Sequence, residues 1–206
     1  MGESQHDKKR QEYKYLIPAY AEMELKNILA LDGWNEQFPK RQVHTIYFDT
    51  IKDDFLFDSI YGISNRVKYR ARWYNAEKFF VIECKTKNAG IGGKAISQKF
   101  PFTVEFPSSS ELSDALLKSF GQQLPQLSTI SYDREYFFHA KSQSRLTLDD
   151  NYISFDYHSH VGREIKNSVI LEVKADVSAS FVVPFGQFQS RFSKYCFSRV
   201  GDDSFY

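Results

Sequence analysis

The sequence has few of the residues that cross-link a chain or carry it through a membrane. Only two of its 206 residues are cysteines, Cys84 and Cys196, which excludes a disulfide framework and a cysteine-rich metal site. No run approaches the ~18 apolar residues that a transmembrane helix requires. Residues 1–10 are polar and lack the apolar core of a signal peptide. We therefore expect a cytoplasmic protein that does not itself insert into a membrane.

The sequence also lacks an excess of charge of either sign. Its 27 lysines and arginines nearly balance its 26 aspartates and glutamates, which leaves a net charge of +1. This balance argues against a protein that binds nucleic acid through bulk electrostatics, although the charges can still be unevenly distributed. The length suits one well-buried domain, so we predict a single domain over residues 11–206 after a flexible tail over residues 1–10.

Strand patterns dominate the chain. Helices are predicted over residues 19–31, from Ser108 to Gly121, where Ser108 and Glu111 have the spacing of a capping box, and over residues 187–197. The glycine-rich segment 88–93 is predicted as a flexible connection. The predicted strands cover residues 11–17, 42–49, 63–74, 77–87, 97–106, 128–139, 144–149, 152–157 and 168–175. This pattern favours an α+β fold, an antiparallel β-barrel of about eight strands with a few flanking helices.

A row of cations is the most informative feature that is present. Arg66, Lys68, Arg70 and Arg72 are spaced two apart. Side chains two apart point to the same face of a strand, so these four form one basic row roughly 20 Å long. Like charges repel at this spacing, which favours an extended anion as the binding partner. The alternative is a solvated strand face with its long side chains in water.

Other predicted strands repeat this pattern of cations on one face. If these faces line one interior, they form a cationic cavity within an acidic shell, which would concentrate a polyanion. The few carboxylates among them suit a hard divalent cation that takes its other ligands from phosphates. The set comprises the cations Lys14, Arg66, Lys68, Arg70, Arg72, Lys85, Lys87, Arg134, Arg145, Lys174 and Lys194 and the carboxylates Glu12, Glu83 and Glu172.

Short motifs in a fixed order resemble the VTC domain of polyphosphate polymerases, a branch of the triphosphate tunnel metalloenzymes related to CYTH domains. None is decisive alone, but the ordered set is specific and spans nearly the whole chain. The matching segments are residues 10–15, 47–50, 68–74, 80–85, 132–134, 145–149, 171–174 and 193–195.

The resemblance implies an antiparallel tunnel that binds ATP and polyphosphate and transfers the γ-phosphoryl group of ATP to a polyphosphate chain. It implies catalytic roles for Arg70, Arg72, Arg134 and Glu172, and a Mn²⁺ or Mg²⁺ ion held by Glu172 with Glu12. The phosphate-binding residues that it implies are Lys14, Lys68, Arg70, Arg72, Lys85, Tyr132, Arg134, Arg145 and Lys194.

The sequence departs from the family pattern in two places. Hydrolytic relatives begin with a Glu-x-Glu-x-Lys pattern, and here Arg10 stands at the first of those positions. A missing carboxylate weakens a two-metal hydrolase interpretation. The segment with Lys94, Ser97 and Lys99 aligns ambiguously, which leaves the roles of these residues open. The sequence lacks the membrane helices of eukaryotic polymerases, so coupling to a membrane would need a membrane-protein partner.

Three functions compete at this point. The first is a metal-dependent polyphosphate polymerase, and the second is a triphosphatase of the same fold that uses water as acceptor. The third is a non-catalytic module that binds polyphosphate or nucleotides and regulates a partner. Retention of Glu172 favours catalysis, because pure anion binding would gain from losing that carboxylate. The sequence leaves the acceptor, the metal preference and the oligomeric state open.

Overall fold

The computed structural model describes residues 10–75, 77–89, 91–176 and 186–201. These residues form eleven strands and four α-helices. The helices are α1 (Glu22–Leu31), α2 (Asp54–Ile60), α3 (Ser109–Phe120) and α4 (Lys194–Val200). The strands are β1 (Arg10–Pro18), β2 (Trp34–Phe48), β3 (Arg66–Tyr74), β4 (Phe79–Asn88), β5 (Ile91–Ile96), β6 (Phe100–Pro101), β7 (Gln126–His139), β8 (Ser144–Asp156), β9 (Val161–Glu164), β10 (Ser168–Asp176) and β11 (Gln189–Ser190).

The α+β class and the antiparallel pairing predicted from the sequence are confirmed. The chain divides into two compact units, and strands β2, β7 and β8 have residues in both. The first unit comprises Met1–Lys40, Arg134–Asp150 and Ile165–Phe192, and the second comprises Arg41–Asp133, Asn151–Glu164 and Ser193–Tyr206. The single domain over residues 11–206 stays a prediction. The predicted tail lies outside the described residues except for Arg10, which begins β1.

The first unit buries an apolar sheet face against α1. Its strands lie in the order β11, β1, β10, β8, and each described pairing is antiparallel. Ile17, Leu171 and Leu148 on the strands pack with Leu25 and Leu29 of α1 in one core. Because side chains alternate across a strand, the residues between these apolar ones lie on the opposite face.

The second unit has the strand order β2, β3, β4, β5, with β6 on β4 and β9 on β8. One face of its sheet packs on α3, where Ala71, Trp73 and Ile82 contact a core that includes Leu112 and Leu116. Among the described residues, the hydrogen-bonded order in each unit ends on an edge strand, β11 or β5, so neither set closes by itself into the predicted barrel.

The helix predicted after Ser108 is confirmed in detail. The Ser108 hydroxyl accepts a hydrogen bond from the Glu111 amide, and the Glu111 carboxylate accepts one from the Ser108 amide. Gly121 ends the helix with a φ of 66°. A glycine adopts this left-handed conformation without the steric cost of a Cβ atom.

Several predicted boundaries were wrong, and β2 begins at Trp34 rather than at residue 42. Where a flexible connection was predicted over residues 88–93, Asn88 pairs with Ile91 and β5 begins, and the strand predicted over 97–106 is reduced to β6. Residues 144–149 and 152–157, predicted as two strands, form the continuous β8, with Asn151 at a positive φ of 49°. The helix predicted over 187–197 begins instead at Lys194, because Ser193 caps it by accepting a hydrogen bond from the Cys196 amide.

Candidate functional site

The predicted cation row lies on one face of β3, and β4 and β5 extend it. Arg66 pairs with Lys87, Lys68 with Lys85, and Arg70 with Glu83. Directly opposed residues of antiparallel strands share a face, so these side chains form one surface. On β5, Lys94 lies opposite Lys85. We call this surface the basic face, and its charged residues are Arg66, Lys68, Arg70, Arg72, Lys85, Lys87, Lys94 and the single carboxylate Glu83.

The buried Glu83 carboxylate anchors the centre of the basic face. Its Oε2 accepts a hydrogen bond from Arg70 Nε at 2.6 Å, and its Oε1 lies 2.5 Å from Lys94 Nζ. Arg72 Nη1 lies 4.0 Å from Oε2. Burial alone would raise the pKa of Glu83, but the charges of Arg70, Arg72 and Lys94 outweigh it and hold that pKa well below its ordinary value. Glu83 is therefore ionised and fixes the guanidinium of Arg70.

The pKa of Tyr47 is lowered by the positive charges of the basic face. It is buried on β2, and its hydroxyl accepts a hydrogen bond from Arg70 Nη1 at 3.2 Å. Burial alone would raise the pKa of Tyr47, yet Arg70, Arg72 and Lys68 lower it below the ordinary value. A field that stabilises a phenolate will also stabilise other anions.

Three further residues from β7 and the start of α4 join the basic face. Arg72 Nη2 donates to the Tyr132 hydroxyl at 3.2 Å, and Lys194 Nζ lies 4.9 Å above the Tyr132 ring. Lys68 Nζ donates to the Ser193 hydroxyl at 3.3 Å. The second unit thus gathers six of the predicted phosphate ligands, which are Lys68, Arg70, Arg72, Lys85, Tyr132 and Lys194.

The other predicted site residues belong to the first unit. Across β1, β10 and β8, Glu12 pairs with Lys174 and Lys174 with Arg145. Two residues further along β1, Lys14 pairs with Glu172 of β10. The core occupies the opposite side of these strands, so these five side chains share the polar face. We call this surface the mixed-charge face.

Lysines neutralise both predicted metal-binding carboxylates on the mixed-charge face. Lys174 Nζ lies 2.7 Å from Oε1 of Glu172 and 3.8 Å from Oε2 of Glu12. Lys14 Nζ lies 3.3 Å from Oε1 of Glu12 and also donates to the Phe192 carbonyl at 3.0 Å. Arg145, which pairs in register with Lys174, is exposed on the same face.

The donor set of the mixed-charge face fits a divalent cation. Glu12 and Glu172 stand on neighbouring strands one register step apart, a diagonal separation that long side chains bridge. Both carboxylates already approach one cationic atom, Lys174 Nζ. Mg²⁺ and Mn²⁺ commonly take one or two protein carboxylates and complete their coordination with phosphate and water.

Arg134, the remaining predicted phosphate ligand, forms a two-point ion pair with Asp149. Its Nε lies 2.5 Å from Oδ1 and its Nη2 lies 2.6 Å from Oδ2 of that carboxylate, which is fully buried. This geometry fixes the plane of the guanidinium. Asp149 follows Arg145 and Thr147 at a spacing of two, so its face was predictable from the sequence but its partner was not.

A second acidic group was missed by sequence reasoning. Carboxylate oxygens of Glu22, Glu135 and Asp150 lie within 4.8 Å of one another in the first unit. Lys26 Nζ lies 2.8 Å from Glu22 and 2.9 Å from Glu135, and Lys40 Nζ lies 2.6 Å from Asp150. These ion pairs account for the arrangement of the carboxylates without a metal ion.

The residues whose roles the sequence left open now have defined places. Lys94 belongs to the basic face. The Ser97 hydroxyl accepts from the Ile82 amide at 2.8 Å and donates to the Gln98 carbonyl at 2.6 Å, which fixes the chain beyond β5. Lys99 Nζ lies 4.0 Å from the centre of the Phe79 ring.

No helix within the described ranges combines the length and the apolar composition needed to cross a membrane.

Comparison with known proteins identifies both a family and a fold. The sequence matches the VTC domain family over residues 9–199, and it matches no curated protein. A candidate adenylate cyclase from Vibrio parahaemolyticus superimposes with a TM-score of 0.52 at 12% identity, over 83% of this chain and 78% of that one.

Two other solved structures superimpose less closely. The PH1819 protein from Pyrococcus horikoshii has a TM-score of 0.46 at 14% identity, over 84% of this chain and 80% of that one. A candidate adenylyl cyclase from Hippeastrum, described as having a dominant triphosphatase activity, has a TM-score of 0.48 at 13% identity, over 93% of this chain and 95% of that one.

Proposed function

Because the chain belongs to the VTC domain family and has the fold of the CYTH-like triphosphate tunnel proteins, we propose that it is a metal-dependent phosphotransferase. In this proposal it binds ATP and polyphosphate and transfers the γ-phosphoryl group of ATP to the end of a polyphosphate chain. The reaction leaves ADP and lengthens the polymer by one phosphate.

The basic face is the observation that carries the proposal. Seven cations on three paired strands share one face with a single carboxylate, and that carboxylate is buried. Solubility alone does not require this arrangement, because a solvated strand face usually mixes charges of both signs. An extended chain of phosphates offers negative charge at a spacing that such a surface can match.

The basic face supplies the positioning and the charge that phosphoryl transfer requires. This transfer places little covalent demand on a protein, and its barrier falls when the phosphates are aligned and their developing charge is stabilised. We assign Lys68, Lys85 and Lys194 to phosphate binding. Arg72, which Tyr132 orients by accepting its hydrogen bond, is assigned to the oxygens of the transferred phosphoryl group.

The guanidinium groups of Arg70 and Arg134 are held in place more firmly than the ammonium groups of the lysines. Each is paired with a buried carboxylate, Glu83 or Asp149, before any substrate arrives. Preorganised guanidinium groups lose little freedom when they meet an anion, which strengthens charge stabilisation in the transition state. We therefore assign both arginines to charge stabilisation.

Glu172 and Glu12 are assigned to the divalent cation. When bound, Mn²⁺ or Mg²⁺ supplies positive charge to phosphate oxygens. Lys14 and Lys174 neutralise the two carboxylates when the metal is absent, and they can turn to phosphate oxygens when it is present.

A second candidate function is a module that binds polyphosphate without turning it over. The observation that favours it is the pairing of both metal-binding carboxylates with lysines. A surface neutralised in this way needs no metal to bind an anion. Such a protein would respond to polyphosphate or nucleotide by changing its contacts with a partner.

The test is incubation of the purified protein with ATP and Mn²⁺, with ADP, free phosphate and polyphosphate resolved separately. ADP together with polyphosphate supports the proposal. ADP with an equal amount of free phosphate identifies a hydrolase and contradicts it. Triphosphate binding without turnover identifies the binding module. The Arg72→Ala variant is the matched control for contaminating enzymes, since only activity that belongs to this protein depends on Arg72.

A further inference from the structure

We propose that Asp49 and Tyr195 are positioning residues that hold the start of α4 against the basic face and thereby set its affinity for phosphates. Neither residue touches the substrate in this proposal. They act through Lys68, Ser193 and Lys194. The inference rests on the proposed function only in that the basic face binds phosphates.

Asp49 lies where β2 ends and joins three parts of the second unit. Its side chain is fully buried, and its carboxylate accepts hydrogen bonds from the amides of Thr50 at 2.7 Å, Phe55 at 2.9 Å and Leu56 at 2.8 Å. The Tyr195 hydroxyl donates a further hydrogen bond to it. Burial of a carboxylate is costly unless its oxygens accept hydrogen bonds, and these donors satisfy both. The start of α2 and the first turn of α4 are therefore tied to the same group.

The Tyr195 ring packs against residues of the basic face. It stacks on Tyr47 with ring centres 4.6 Å apart, and Lys68 Nζ lies 5.7 Å from its centre. Tyr47 in turn accepts a hydrogen bond from Arg70. A shift of the Tyr195 ring would therefore disturb the packing beneath two cations of the basic face.

The residues just before Tyr195 face the same cations. The Ser193 hydroxyl caps α4 and accepts the hydrogen bond of Lys68. Lys194 reaches the Tyr132 ring with its ammonium, while its carbonyl accepts from the Tyr152 hydroxyl at 2.9 Å. The geometry of all three contacts depends on the position of the first turn of α4.

If Asp49 served only to cap α2, it would not need the hydrogen bond from the Tyr195 hydroxyl. The three amide donors already satisfy both oxygens of Asp49, which accounts for the start of that helix. Burial and the Asp49 carboxylate raise the pKa of Tyr195, so its hydroxyl remains a donor throughout the physiological range. The contact between Asp49 and Tyr195 thus links the end of β2 to α4.

The test uses the Tyr195→Phe variant, which keeps the ring and removes only the donor. With tripolyphosphate as the probe and no metal, we expect the dissociation constant to rise about three- to tenfold, the scale of one net hydrogen bond. In the Lys194→Ala background the same change should raise the dissociation constant less, because part of the effect of the contact acts through Lys194. The Tyr61→Phe variant, which alters an exposed tyrosine, is the matched control.

A merely structural role for Tyr195 predicts a different outcome. The melting temperature would fall while the dissociation constant stayed the same, or the effects of Tyr195→Phe and Lys194→Ala would add fully. Either result overturns the inference. Amide hydrogen exchange over residues 193–197 supplies a second readout without ligand, and we expect it to quicken in Tyr195→Phe relative to exchange in α3.

The exchange measurement also separates this inference from the proposed function. If the wild-type protein does not bind tripolyphosphate, the proposed function fails and the effect on affinity fails with it. Unchanged exchange over residues 193–197 would instead overturn the positioning role even where binding is intact.

Discussion

The ammonium of Lys174 is shared between Glu172 and Glu12, at 2.7 Å from one carboxylate and 3.8 Å from the other. The relationship follows from the register of β1 and β10, which places Lys174 opposite Glu12 and two residues beyond Glu172. A cation of the protein therefore stands at the pair of carboxylates that we assign to the metal. Lys174 and a bound metal ion would therefore compete for the same two carboxylates.

Replacement of Lys174 by methionine should strengthen metal binding. Methionine keeps most of the length of the side chain and removes the competing charge. The lysine is partly exposed, so the gain should be modest, about fivefold in the dissociation constant of Mn²⁺, which corresponds to about 1 kcal/mol. Isothermal titration with Mn²⁺ alone measures it. The Lys118→Met variant on α3 should bind Mn²⁺ as the wild type does, and equal affinities in all three proteins would argue against a metal at Glu12 and Glu172.

Glu172→Gln should separate turnover from anion binding. The amide keeps the shape of the side chain but loses the charge that a divalent cation requires. We expect formation of ADP from ATP and Mn²⁺ to be lost, while tripolyphosphate binds as tightly as before or more tightly. The matched control is Glu105→Gln, which changes an exposed carboxylate of the second unit. Full turnover in Glu172→Gln would remove the metal role from this residue.

The two central arginines of the basic face should respond differently to truncation. Arg70→Ala and Arg72→Ala should each weaken tripolyphosphate binding by roughly 1.5–3 kcal/mol, the scale of a charge-assisted contact. Arg70→Ala should in addition lower the free energy of unfolding, because it removes the principal partner of the buried Glu83. Titration calorimetry and urea denaturation of both variants measure the two effects. Unchanged binding in both variants would mean that the basic face does not hold the phosphates.

The sequence predicts the basic face well because the pattern that produces it is local. Alternation along a strand puts Arg66, Lys68, Arg70 and Arg72 on one side, and antiparallel pairing keeps the cations of β4 on that side too. The ordered motifs also predict the family, and the match to the VTC domain confirms it. Both signals depend on residue order alone, without knowledge of the tertiary fold.

What the sequence does not reveal depends on contacts that follow no periodic pattern along the chain. Helix α2 starts where Asp49 accepts amide hydrogen bonds, a contact without a periodic pattern. The glycines near β5 suggest a flexible loop, yet a Cβ atom on Gly93 would lie only 2.7 Å from the Thr86 hydroxyl, so close packing between strands explains that glycine. The ion pair between Arg134 and Asp149 joins residues on two strands.

Glu83 should make the free energy of unfolding depend on pH in the acid range. Its pKa is depressed in the folded state, so its contribution is complete above the ordinary value near 4.5 and is lost as the pH falls towards the folded value. At neutral pH, Glu83→Gln should lower the free energy of unfolding by about 3–5 kcal/mol, because it leaves Arg70 buried beside a neutral group. Below pH 4.5 the difference from the wild type should shrink, since protonation of Glu83 removes the same charge. Urea denaturation at a series of pH values measures both curves, with Glu105→Gln as the control. A difference that stays constant down to pH 2.5 would show that Glu83 does not carry the charge that fixes Arg70.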